Sequence, residues 1–116
     1  MSQREIKLWL IDIRDAVDHI KSFVEGLDFG AFDANAVVKH AVLHNLMIIG
    51  EAVSKLPESI KEKYPTIPWR EVKGFRNYVV HEYFGLDADI IWQIIQADLT
   101  PLRDEISRII NSEVID

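Results

Sequence analysis

The sequence predicts an all-α protein, an antiparallel bundle of four helices, and three observations predict it. Apolar residues recur at steps of three and four along nearly the whole chain. The breaks are few and grouped: Gly26 with Gly30, then Pro57, Pro65 and Pro68, then Gly85. No segment of useful length alternates apolar and polar residues as a half-buried strand does. The chain has 116 residues, 48% of them hydrophobic, which suits one domain over residues 1–116 with a single core.

Each helix follows from its own pattern. Ile6, Leu10, Ile13, Val17, Ile20, Phe23 and Val24 form one stripe, with Asp12, Arg14, Asp15 and Asp18 on the wet face. Gly26 stands where a helix C′ residue belongs. Asp33 is the expected N-cap of a second helix running to about Leu56, where Pro57 stops it. That helix is apolar on more than one side, so it is either central or shared with a second subunit. Gly50 inside it costs about 1 kcal/mol of propensity, and a close helix approach would explain it. Residues 57–67 form a charged linker with room for one helical turn. Pro68 suits the N1 position of a third helix reaching about Phe84. Asp87 can cap a fourth, whose stripe runs from Ile90 to Ile110. Pro101 should kink or restart it, with Thr100 as a local cap.

Composition excludes several classes. The 28% charged content and ample apolar content exclude a disordered tail and a membrane protein. No apolar run approaches the roughly 18 residues of a membrane span, and Met1 to Leu10 lacks a signal-peptide core. The absence of cysteine excludes disulfides and thiolate metal sites, and suits a cytoplasmic location. A net charge of −6 argues against a general nucleic-acid coat protein. The charge is uneven, however: six cations face three anions between Lys55 and His81. That imbalance predicts a basic rim on one side, with Arg70 and Lys73 in it.

The third helix carries the chemistry. On a helical projection Arg76 falls amid Val72, Val79, Val80 and Tyr83, at the centre of an apolar stripe. A guanidinium keeps its proton, so Arg76 must meet a carboxylate, reach water, or line a cleft that receives an anion. Glu51 is one candidate partner; a plain surface carboxylate is the other reading. Arg70, Asn77 and His81 form an adjacent polar strip, Asn77 and His81 one turn apart. A side chain that titrates near neutrality beside a fixed cation suits phosphodiester chemistry. His40 and His44 have the i, i+4 spacing of a metal pair. No third ligand or H-E-x-x-H pattern accompanies them, so no metal is expected. Trp9, Trp69 and Trp92 read as packing rather than base-stacking platforms.

Residues 76–83, Arg-Asn-Tyr-Val-Val-His-Glu-Tyr, resemble the R-x4-H-x-Y signature of HepT-like toxins, a branch of the HEPN superfamily. Ile48-Ile49-Gly50-Glu51-Ala52 resembles the family's I-I-G-E-A segment, and Pro65-Thr66-Ile67-Pro68-Trp69 its P-x-I-P-W approach to the signature helix. Trp92 and Leu99-Thr100-Pro101-Leu102 resemble its final helix, so the ordered matches span about residues 40–110. Relatives often carry arginine before I-I-G-E-A, where this chain has Lys39 to Leu46 without one.

The resemblance implies a dimer whose Arg–His helices face one cleft, and RNA cleavage without a metal or other cofactor. It makes Arg76 and His81 catalytic, with Asn77 and Glu51 in support. It makes Tyr83 the tyrosine that a nucleotidyltransferase (MNT-type) antitoxin modifies with AMP. The implied function is the toxin of a type VII-like HEPN/MNT toxin–antitoxin pair. Two other functions fit the residues: a non-catalytic HEPN module that binds a nucleotide or partner, and a dimeric helical scaffold.

Overall fold

The computed structural model describes residues 2–77 and 88–113. The first helix, α1 (Gln3–Val24), is capped by Ser2, whose Oγ accepts the Glu5 backbone N–H at 3.1 Å. It ends as its sequence predicts, with Gly26 at φ +78°, a left-handed position that glycine enters without Cβ strain. Leu10, Ile13, Val17 and Ile20 are fully buried. Phe23 departs from the expected stripe: it is 41% exposed, although Val24 beside it is buried.

The second predicted helix is two. Asp28 caps the short α2 (Phe29–Ala34) by accepting the Ala31 N–H at 2.8 Å. Asn35, in extended conformation, caps α3 (Ala36–Lys55) by accepting the Val38 N–H at 3.1 Å. Asp33 is therefore not the cap; it lies within α2 and pairs with Lys39 at 3.4 Å. The break falls later because Phe32 is fully buried against Trp92, their ring centroids 5.1 Å apart. By length and composition α3 could cross a membrane, so the chain does hold one stretch that approaches a span. Here it is the element against which α1, α2 and the α5 segment all pack, and less than half of it is buried.

The charged linker holds α4 (Glu58–Lys63), as its composition allows. Helix α5 (Trp69–Lys73) then tightens into a 3₁₀ turn at Gly74–Arg76. Pro68 takes the N-cap position rather than N1, and Trp69 starts the helix with its indole N–H donating to the Tyr64 carbonyl at 3.0 Å. The expected continuation to Phe84 and the Asp87 cap lie outside the described residues.

The last stretch runs as α6 (Ala88–Gln93), a π turn at Ile94–Asp98, and α7 (Leu99–Ser112). The irregularity expected at Pro101 thus precedes it. Pro101 has no N–H for the Ala97 carbonyl four residues back, and the wider turn accommodates that loss. Thr100 is not a cap; its hydroxyl accepts a bond from Lys21 Nζ at 2.7 Å. Arg103 ties α7 to α1 through Asp18 at 2.6 and 3.3 Å. The fold is all-helical among the described residues, and its buried side chains form one apolar cluster to which every helix contributes.

Candidate active site

The site begins at a glycine. A Cβ on Gly50 would lie 2.8 Å from the Lys73 carbonyl oxygen and 2.9 Å from both the backbone nitrogen and the Cβ of Arg76. The backbones of α3 and the α5 segment therefore touch, which is the close approach the glycine predicts. The next residue, Glu51, meets Arg76 through Oε1 and Nη1 at 3.0 Å. Of the two sequence readings of Glu51, the structure gives the paired one.

The pair is not a buried one. The Arg76 side chain is 36% exposed and that of Glu51 50%. An exposed single-contact pair contributes about 0–1 kcal/mol, so Glu51 is a replaceable partner. A guanidinium carries five N–H donors in a fork that suits phosphate, and one bond to Glu51 does not exhaust it.

Arg70 and Lys73 are both exposed and line one concavity of about 420 Å³ with Trp69, Lys61, Glu58 and Glu62. Neither has an ion-pair partner among the described residues, whereas Lys61 sits 3.6 Å from Glu58. Lys61 is one of the six cations counted between Lys55 and His81; its place beside Arg70 depends on α4 and α5 lining one concavity. Asn77 follows Arg76 and is exposed. The remaining predicted site residues, His81 and Tyr83, lie outside the described residues.

The rival histidines go elsewhere. His40 Nδ1 sits 2.7 Å from the Ala36 carbonyl of its own helix, and His44 is exposed. Among the described residues no three His, Cys, Asp or Glu side chains gather as a metal-binding group. Trp69 is buried, and Trp92 packs edge-on to Phe29 and tilted against Phe32, so both serve packing.

A family description, "Ribonuclease HepT-like", matches residues 13–109. A protein of Methanocaldococcus jannaschii named "Putative RNase MJ0125" is 39% identical over 110 residues, covering 95% of each chain. "Probable ribonuclease HepT" of Thermococcus cleftensis is 33% identical over 107 residues, covering 92% of this chain and 97% of its own. A third, "Putative RNase TTE0752" of Caldanaerobacter subterraneus, is 38% identical over 90 residues, 78% of this chain and 80% of its own. No solved structure gives a significant match. With the family pattern covering most of its length, this chain belongs to the HepT-like ribonuclease family.

Proposed function

We propose that this protein is a metal-independent endoribonuclease, the toxin of a type VII-like HEPN/MNT pair, working as a homodimer with a composite cleft. The observation that carries this reading is the position of Arg76. It is held at the end of the 3₁₀ turn after α5 by a single exposed carboxylate, with Lys73 and Arg70 about one and two turns back. An RNA phosphate displaces Glu51 at little cost and takes its place against the guanidinium.

In the reaction, His81 accepts the proton of a ribose 2′-OH as that oxygen attacks the adjacent phosphorus. The bond to the 5′ oxygen breaks, and that oxygen leaves with a proton from solvent, giving a 2′,3′-cyclic phosphate and a 5′-OH. Arg76 stabilises the charge that builds on the phosphoryl oxygens, and Asn77 orients the phosphate. The exposed apolar residues Leu8 and Phe23 on α1, Val37 on α3 and Ile90 on α6 support contact with a second copy.

Silencing is supported by spacing in the sequence. Tyr83 stands seven residues after Arg76, close to one face on a helical projection. AMP added to it by a nucleotidyltransferase antitoxin puts a phosphate where the RNA must bind.

The test is incubation of the purified protein with RNA in EDTA. Wild type should cleave, and Arg76→Ala and His81→Ala should each lose about 100-fold or more. Glu51→Gln should bind RNA at least as tightly as wild type. Absence of cleavage, or equal cleavage by the His81→Ala variant, rejects the reading.

A further inference from the structure

On the side of α5 opposite Arg70 and Lys73 lies a second feature, which the proposed chemistry does not use. A groove of about 350 Å³ separates α5 from the π turn and α7. Its floor is Val72, Phe75 and Leu102, and Pro68 and Pro101 form its walls. Three carboxylates stand on the rim: Glu71, Asp98 and Glu105. Glu105 is held by Arg108 at 2.8 Å, but Glu71 and Asp98 have no ion-pair partner among the described residues.

The groove is built by backbone chemistry as well as by side chains. The π turn supplies one wall of the groove through Ala97 and Asp98. An apolar trough edged by three carboxylates is mismatched to a nucleic-acid backbone and matched to a cationic polypeptide.

We propose that this groove docks a segment of a partner protein in which apolar side chains are flanked by lysine or arginine. The apolar side chain sits over Phe75 and Leu102, and the flanking cations meet Glu71 and Asp98. This surface is separate from the proposed RNA site, so a partner seated there leaves Arg76 open to substrate.

A library of random 12-residue peptides displayed on phage is selected on the full-length protein. Enriched sequences are then made as fluorescein-labelled peptides and titrated against three proteins: wild type, Glu71→Lys/Asp98→Lys, and the milder Glu71→Gln/Asp98→Asn. The proposal expects enriched peptides with an apolar residue between basic ones. Their affinity should fall about tenfold or more in the lysine variant, by less in the neutral one, and with added salt. The neutral pair keeps the test decisive if the lysine pair folds poorly. Selection of peptides without basic residues, or equal affinity for wild type and the neutral pair, overturns the proposal. So does a change of oligomeric state in the variants by sedimentation, because the occupant would then be a second copy of this chain.

Discussion

The two sides of the α5 segment are built from residues adjacent in sequence, yet they are opposite in character. Arg70 and Lys73 face a concavity shared with Lys61, and Arg76 follows them to meet Glu51. Glu71, Val72 and Phe75 instead line the acidic-edged groove against α7. Neither side owes its character to α5 alone. On the first, Gly50 lets α3 come into backbone contact, which places Glu51 on Arg76. On the second, the π turn and Pro101 line a trough between α5 and α7. A helix segment of this length cannot define a site by itself; its neighbours decide which of its faces is a cleft.

Charge reversal tests this division most strongly. Arg70→Glu/Lys73→Glu should weaken RNA binding by about 100-fold at low salt and lower the log–log salt slope by roughly 1.5, since two phosphate contacts go. Glu71→Lys, one residue away, should leave that slope unreduced. Fluorescence anisotropy of a labelled RNA across a salt series measures both. If the two substitutions act alike, the two faces are not separate.

Gly50→Ala attacks the contact itself. The added Cβ would meet backbone atoms at under 3 Å, which no side-chain adjustment relieves. Separating α3 from α5 should cost about 1–3 kcal/mol in urea unfolding. The same shift moves Arg76 off Glu51, so activity should fall with stability.

The smallest effect is expected far from both faces. Glu113 accepts bonds from Tyr64 Oη at 2.5 Å and Lys63 Nζ at 3.0 Å, closing the linker onto the end of α7. Those bonds, the tyrosine first, hold the Glu113 carboxyl below its ordinary 4.5. The bond to Glu113 also raises the Tyr64 phenol above its ordinary 10.0. A lowered carboxyl contributes stability that is complete above 4.5 and fades as pH falls through its folded value. A raised phenol contributes stability that is complete below 10.0 and fades as pH rises through its folded value. Glu113→Gln should therefore lower the melting temperature slightly near pH 7, and the difference from wild type should close in acid.

Much of this was legible in the sequence, for identifiable reasons. Helix existence followed from the three-and-four spacing, and Gly26 and Gly50 were legible because only glycine suits a positive φ or a backbone contact. Arg76 was legible because a permanent cation on an apolar stripe needs a partner. The caps were less so: Asp33 and Asn35 are both good N-caps, and the burial of Phe32 chose between them. Lys61 was legible only as one cation of a basic stretch, and Asp98 and Glu105 opposite Glu71 carried no signal at all. They come from segments far apart in the chain, and ordinary surface charges look the same before packing.

The sequence by itself determined an all-α chain, a charged signature helix needing an anionic partner, and a family pattern spanning most of its length. Periodicity, glycine and fixed charge are local properties, so the chain states them directly. The tertiary structure alone decided which carboxylate meets Arg76 and which side of α5 becomes basic or acidic. It also decided where the trough between α5 and α7 lies. Those outcomes depend on distances between helices, and helix separation is set by the side chains of two elements at once.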